Sequence, residues 1–235
     1  LYTTLVGDAV SRLMEAAGAM VHRVNFGGDV GRHVAITMRQ ILHDLQTTPG
    51  DVTEAHVAKV QKTLEEETLL WISKQYTTGT AAYEEDSGVK EEVTTVNKLV
   101  YDIHRKNDTT SPFAQIYWLC RDECYKAFDA LYEQLGVLPF EKYYPESSVE
   151  ALGVQKVREH TGTVYEESDG AIVFKAEQYG LFTQVFINSE GLPTYAGKDV
   201  GLIYHKHQDF NQDQSFIITD VAQKDHLAVV MKSIE

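Results

Sequence analysis

One short segment combines an aromatic ring and a carboxylate at helical spacing. It reads Thr194-Tyr-Ala-Gly-Lys-Asp-Val200, and a helix capped by Thr194 would place Tyr195 and Asp199 one turn apart on the same face. A carboxylate accepts two parallel hydrogen bonds from a guanidinium, and a phenol ring can pack against that flat cation. The pair therefore predicts a receptor for a planar cation. The alternative is an acidic first-turn residue that the helix dipole favours.

A second segment, Phe216–His226, has the pattern of a buried strand followed by a polar turn and a helix. We predict the strand at Ser215–Thr219 and the last helix from about Val221. Ligands of open α/β sheets bind at the carboxyl ends of the strands. Gln223 and His226 lie three residues apart, so both can face that end. For His226 the alternative is a capping or packing role.

The glycine-rich segment Asn25–Gly31 is a third candidate, with Asn25 and Asp29 as possible site residues. Glycines between a strand and a helix let backbone amides approach a phosphate. The spacing of a dinucleotide-binding fingerprint is absent, however. His205 and His207 are two residues apart on a predicted helix and point to different faces, which disfavours a metal pair.

The elements that must position these residues begin with a helix, a strand, a glycine turn and a second helix. The helices are predicted at Thr3–Ala17 and His33–Leu45, and the strand at Met20–Phe26. This order is typical of a parallel α/β sheet. Two charged helices, Thr53–Lys74 and Lys90–Lys106, flank a polar stretch at Thr77–Gly88 and indicate a helical insertion.

Ser111-Pro112 starts the next helix with a capping residue and a first-turn proline, and Gly136 ends it. The elements predicted after this helix include both strands and helices. They are an extended piece at Val137–Tyr144, a helix at Ser148–His160, strands at Ala171–Lys175 and Phe182–Ile187 with turns at Ser168–Gly170 and Ser189–Gly191, and a helix at Tyr195–His207.

These elements predict an α/β protein with a Rossmann-type parallel sheet, a largely helical insertion and a small β-hairpin region. We divide the chain into a first part of the sheet domain at 1–48, the helical insertion at 49–110, and the remainder at 111–235 with a β-rich insertion at 162–194.

Composition narrows the function classes. The 235 residues are 43% hydrophobic and 24% charged, as in ordinary globular proteins, and no stretch has the length and hydropathy of a membrane span. The net charge of -14 disfavours binding of a phosphate backbone by this part of the protein. The two cysteines, Cys120 and Cys124, are too few for a disulfide framework or a zinc site, and we expect them to pack in the core of a cytoplasmic protein.

Taken in order, these segments resemble arginyl-tRNA synthetase, a class I aminoacyl-tRNA synthetase, over nearly the whole chain. The resemblance is weakest at about 50–110. It is carried by Leu1–Arg12, by Glu15–Asn25 with Gly28–Gly31, by Arg121–Val137 ending in Tyr-x-x-Leu-Gly-Val, by Tyr144-Pro-Glu-Ser147, by Ser168–Ala171, by Gly191–Asp199 and by Gln223-x-x-His226.

The resemblance implies an ATP-dependent ligase that forms arginyl-adenylate and transfers arginine to tRNA(Arg). It implies that Tyr195 and Asp199 bind the guanidinium, that Gln223 helps to hold the amino acid, and that His226 approaches ATP. Glu146 is a further possible site residue. The implied substrates are L-arginine, ATP and tRNA(Arg), with Mg²⁺ accompanying ATP and with no structural metal in the protein.

The family's His-Ile-Gly-His signature would lie just before Leu1, and we expect its lysine loop and anticodon-binding domain after the chain. We therefore expect this fragment to be catalytically inactive, tRNA to bind mainly through the other parts, and the full-length protein to be a monomer. The segment Asp29–His33 departs from the family's usual aromatic and glutamine residues. The alternatives are another class I synthetase or a non-catalytic nucleotide-binding relic of the same fold.

Overall fold

The structure, a computed structural model, describes residues 2–235, apart from the side chains of residues 68 and 69. The elements of these residues are helices α1 (Tyr2–Ala16), α2 (Arg32–Asp44), α3 (Glu54–Glu85), α4 (Ser87–Lys106), α5 (Pro112–Gln134), α6 (Glu146–Glu159), α7 (Tyr195–Phe210) and α8 (Lys224–Ile234), and strands β1 (Val24–Gly27), β2 (Lys142–Pro145), β3 (Glu166–Ser168), β4 (Ala171–Phe174) and β5 (Gln184–Ile187).

The strands form two small sheets. β1 and β2 pair in parallel, with Asn25 opposite Tyr143, and β3, β4 and β5 form an antiparallel sheet in that order. The turn between β3 and β4 has positive φ at both Asp169 and Gly170, as a two-residue hairpin turn requires. The α/β class, the helical insertion and the hairpin region are confirmed, and β3 was not predicted.

The chain folds as two compact units, one formed by residues up to Gly27 with Phe140–Glu235, the other by Gly28–Pro139. The predicted helical insertion at 49–110 lies within the second unit, and the β-rich segment 162–194 lies within the first. The domain bounds given above remain a prediction. Within residues 2–235, every helix is too short or too polar to cross a lipid bilayer.

In the first unit, helices α6, α7 and α8 pack with β4 and β5 around a core that includes Val157, Phe186, Val200 and Val229. The α6–α7 crossing is unusually close. A Cβ on Gly153 would lie 2.1 Å from the Gly197 carbonyl oxygen, and one on Gly201 would lie 2.1 Å from the Val149 carbonyl oxygen. Glycine is therefore required for this crossing, which brings the start of α6 against α7.

The second unit is a helical bundle of α2, α3, α4 and α5 with its own apolar core. Cys120 is buried in this core and Cys124 is partly buried; both are free thiols, and burial raises the pKa of each. The predicted start of α5 is confirmed, because Ser111 accepts a hydrogen bond from the Ala114 N–H and Pro112 opens the first turn.

The predicted polar interruption at Thr77–Gly88 is wrong, since α3 continues to Glu85. Gly79 serves here as a contact point, because a Cβ there would meet the Ile36 carbonyl oxygen at 2.9 Å. The break falls instead at Asp86, whose carboxylate accepts a hydrogen bond from the Gly88 N–H and caps α4.

The predicted buried strand at Ser215–Thr219 is also wrong. These five residues are exposed and adopt no regular structure, with Phe216 at 58% exposure. A strand needs a neighbouring backbone ladder, and the parallel sheet of the described residues contains β1 and β2 alone. The first predicted strand is likewise shorter than expected, covering Val24–Gly27 rather than Met20–Phe26.

Candidate functional site

The start of α7 is fastened to strand β5. The Thr194 N–H donates to the Phe186 carbonyl oxygen at 2.9 Å, and its hydroxyl donates to the Val185 carbonyl oxygen at 2.6 Å. Thr194 thus occupies the predicted N-cap position, but its side chain bonds to β5 and does not cap the helix. This attachment sets the position of the first turn of α7 relative to the edge of the antiparallel sheet.

Tyr195 and Asp199 follow in α7, and their i, i+4 spacing places them one turn apart on the same side of the helix. Tyr195 is 63% exposed as a residue, whereas the Asp199 side chain is 18% exposed. The Lys198 ammonium lies 5.9 Å from the centroid of the Tyr195 ring. We call Tyr195 and Asp199 the Tyr–Asp pair; it offers solvent an exposed phenol beside a mostly covered carboxylate.

His226 contacts the carboxylate of the Tyr–Asp pair. Its Nε2 is 2.6 Å from Oδ2 of Asp199, and its Nδ1 is 2.6 Å from Nε2 of Gln184. Asp199 and His226 are thus two predicted site residues that the fold brings into contact. Gln184, the first residue of β5, was missed by sequence reasoning, because the contact joins residues 42 positions apart and no local pattern marks it.

Gln223 lies in the short 3-10 turn Val221–Gln223 that leads into α8. Its N–H donates to the Asp220 carbonyl oxygen at 3.0 Å, and its side chain is exposed, without a hydrogen bond to any described residue. The turn places His226 in the first turn of α8, next to Asp199. Gln223 itself is near the site in sequence but is not tied to it.

Glu146 opens α6 immediately after β2 and is buried. Its Oε1 accepts a hydrogen bond from the Lys198 ammonium at 2.6 Å, and the two side chains are 9% and 5% exposed. Removing one member of such a buried pair leaves an uncompensated charge, which destabilises a protein strongly. Lys198 was not predicted as a site residue, although it lies in the same segment as the Tyr–Asp pair.

Asn25 and Asp29, the possible site residues of the glycine segment, belong to different units. Asn25 is a partly buried residue of β1. Asp29 is buried in the second unit, where its Oδ2 accepts a hydrogen bond from Arg121 Nε at 3.2 Å and lies 3.8 Å from His104 Nε2. The Tyr117 hydroxyl donates to the Asp29 carbonyl oxygen at 2.8 Å, and burial, then the Asp29 charge, raises the Tyr117 pKa well above its ordinary value.

The chain is similar to known proteins in sequence and in fold. The family described as tRNA synthetases class I (R), catalytic domain, matches residues 1–234. The chain therefore belongs to the class I tRNA synthetase family, within that catalytic domain.

Two curated relatives are both named arginine–tRNA ligase. The protein from Amoebophilus asiaticus (strain 5a2) is 26% identical over 99% of this chain and 39% of its own length. The protein from Bdellovibrio bacteriovorus is 24% identical over 98% of this chain and 37% of its own length. The chain thus spans less than half of the length of these relatives.

A solved structure, that of arginyl-tRNA synthetase from Plasmodium falciparum, shares the fold with a TM-score of 0.66 at 21% sequence identity. The match covers 98% of this chain and 36% of that one. Together with the family assignment, it confirms the predicted class I synthetase fold.

Proposed function

We propose that this chain is part of the catalytic domain of an arginine–tRNA ligase. In the complete protein, the arginine carboxylate would attack the α-phosphorus of ATP, release pyrophosphate and form arginyl-adenylate. The arginyl group would then pass to tRNA(Arg) with release of AMP. The observation that carries the proposal is the Asp199 carboxylate, partly open to solvent beside Tyr195 and bonded to a histidine, in a chain whose curated relatives are arginine–tRNA ligases.

The chemistry of the Tyr–Asp pair supports a guanidinium as the group bound. A carboxylate has about four acceptor positions, and the contact with His226 uses one of them. The remaining positions match the planar fork of a guanidinium, and the exposed Tyr195 ring offers a face against which a flat cation packs. A lysine substrate would leave acceptor positions unfilled, which is a basis for selection.

The other substrate contacts stay proposals of the same kind. Gln223, exposed beside the start of α8, is proposed to hold the amino acid. Glu146 is already engaged by Lys198, so we propose that its carboxylate supports α7 and the Tyr–Asp pair. ATP binding near His226 remains a prediction. The binding of Mg²⁺ together with ATP is also still a prediction. In the described part of the chain, no group of three or more His, Cys, Asp or Glu side chains could hold a metal ion.

The proposed partners follow from the same reading. The net charge of -14 supports the view that tRNA would bind chiefly through parts of the protein outside this chain. The cytoplasm as location and the monomeric state of the whole protein remain predictions.

Asp199→Asn in the full-length protein tests the proposal. Losing a charge-assisted hydrogen-bonding pair should lower kcat/KM for arginine at least about tenfold in arginine-dependent exchange of pyrophosphate into ATP. Asp225→Asn is the matched control, because it removes the same charge from an exposed position in the first turn of α8. Equal exchange rates for Asp199→Asn and the wild type would refute the assignment, and exchange driven by a different amino acid would point to another class I synthetase.

A further inference from the structure

The carboxylate of the Tyr–Asp pair is held from within the protein by a chain of two side chains. His226 bridges Asp199 on α7 and Gln184 on β5, with 2.6 Å on each side of the imidazole. The histidine side chain is 19% exposed, so the bridge lies mostly beneath the surface. Three separate elements, α7, α8 and β5, thus meet at this one ring.

With the Gln184 amide nitrogen facing the ring, the bridge favours one tautomer of a neutral imidazole. The Gln184 nitrogen is a donor and cannot accept, so the Nδ1 atom that it contacts must be the acceptor of this hydrogen bond. The proton of a neutral imidazole then lies on Nε2, which donates to Asp199. A neutral donor orients the carboxylate and leaves its negative charge available to a cationic ligand.

Among the described residues, the imidazole hydrogen-bonds to one ionisable side chain and to one amide. On α7 the facing ionisable group is Asp199, and on β5 the facing group is the neutral Gln184. On α8 itself, the neighbours Lys224 and Asp225 are exposed. Among the described residues, Asp199 is the one charged group that hydrogen-bonds to the imidazole. The side-chain oxygen Oε1 of Gln184 is buried without a hydrogen-bond partner in that part of the chain.

We propose that His226 is a positioning residue for arginine recognition, set in its neutral form by Gln184. It holds the Asp199 carboxylate in place and, because it is uncharged, leaves that carboxylate's charge to the guanidinium. A doubly protonated His226 would pair with Asp199 and compete with the substrate. This inference rests on the proposed function, and it assigns His226 to the arginine side of the site rather than to the nucleotide.

The test compares His226→Gln and His226→Ala in the full-length protein. A glutamine side chain can place an N–H close to the position of Nε2, whereas alanine removes the donor. We measure kcat and the KM values for arginine and for ATP by pyrophosphate exchange, between about pH 6 and about pH 8. His226→Ala should raise the KM for arginine about tenfold and leave the KM for ATP unchanged. His226→Gln should restore the arginine KM to within about threefold of the wild type.

The pH profile supplies a readout that a purely structural role would not move. The wild-type KM for arginine should rise on acidification, because an imidazolium at this position would compete with the guanidinium for Asp199. His226→Gln should show a flat profile over the same range, and this holds even where His226→Ala fails to fold.

Each outcome decides between the two proposals. A change confined to the KM for ATP would assign His226 to the nucleotide and overturn the inference. If Asp199→Asn impairs arginine use while both His226 variants behave as the wild type, the inference fails and the proposed function stands. If Asp199→Asn has no effect on arginine use, the proposed function itself fails.

Discussion

Asp29 and Asp199 both carry carboxylates near aromatic rings, and they differ in the groups that bind to these carboxylates. Asp29 is 1% exposed at its side chain and already holds the guanidinium of Arg121, with Nε at 3.2 Å from Oδ2. That guanidinium lies 5.2 Å from the centroid of the Trp118 ring and 4.9 Å from that of Tyr125. The second unit thus contains a guanidinium site that is filled by the chain's own arginine.

Asp199 is also a carboxylate beside an aromatic residue, but no lysine or arginine of the described chain is bound to it. Its side chain is 18% exposed, its described partner is His226, and the neighbouring Tyr195 ring faces solvent. Residue type alone therefore does not distinguish a carboxylate that stabilises the fold from one that binds a ligand cation. The separation comes from burial and from whether a fixed cation already balances the charge. We expect mutations at Asp29 and its partner to affect stability, and mutations at Asp199 to affect recognition.

The largest expected effect is that of Arg121→Met. It would leave the Asp29 carboxylate buried without its cation, which should lower the free energy of unfolding by about 3 kcal/mol in urea titration. Lys126→Met, at an exposed position of the same helix, is the control and should change stability by about 0.5 kcal/mol or less. Adding Asp29→Asn to Arg121→Met should recover part of the loss. If Arg121→Met were as stable as the wild type, the stabilising role of the Asp29–Arg121 pair would be contradicted.

The next largest effect is expected for Asp199→Asn, measured as the change in its free energy of unfolding. Because Asp199 is partly solvated and bonded to a neutral histidine, its replacement should change the free energy of unfolding by about 1 kcal/mol or less, while arginine use falls as described above. A loss of stability as large as that of Arg121→Met would place Asp199 in the same structural role as Asp29.

A smaller effect is expected for Gln184→Glu. A carboxylate facing Nδ1 accepts a hydrogen bond there and favours the imidazolium, which competes with the substrate guanidinium for Asp199. The KM for arginine should rise about threefold near neutral pH, and its rise on acidification should begin at a higher pH than in the wild type. Gln184→Leu is the control, because it removes the contact without adding charge. An unchanged pH profile for Gln184→Glu would show that the amide does not govern His226.

Some elements could be predicted from the sequence because their causes are local. Ser111 with Pro112 starts α5, and the Asp169–Gly170 turn joins β3 to β4, since capping and positive φ are properties of neighbouring residues. The i, i+4 placement of Tyr195 and Asp199 is local for the same reason.

Other features depend on partners that are distant in sequence. Gln184 acquires its role from His226, and Lys198 from Glu146, 52 positions away, and neither distance is encoded in a local pattern. The apolar run Ser215–Thr219 has strand-forming residues, but a strand forms only beside another strand, and that information lies outside the run. Sequence reasoning therefore reached the Tyr–Asp pair, His226 and Glu146, and missed their partners Gln184 and Lys198.

The smallest expected effect lies at Asp108, near the guanidinium site of the second unit. The Ser111 hydroxyl and the N–H groups of Ser111 and Thr110 donate to its carboxylate and lower its pKa to about 2. Because the folded-state pKa is depressed, the stability that the carboxylate contributes is present above its ordinary pKa of about 3.9 and is lost as the pH falls toward about 2. Asp108→Asn should be slightly less stable than the wild type at neutral pH, and urea titrations should show the difference vanishing near pH 2. A constant difference across that range would contradict the assignment.

The glycine crossing of α6 and α7 has a consequence for how this site can change. Backbone meets backbone at Gly153, Gly197 and Gly201, so no side chain there can be trimmed or enlarged to adjust the spacing of the two helices. Glu146 on α6 and Asp199 on α7 therefore belong to two helices whose spacing is fixed by backbone contacts. A binding site of different width could be obtained only by moving a whole helix, and for that reason single substitutions around Asp199 should alter the charge of the site far more readily than its dimensions.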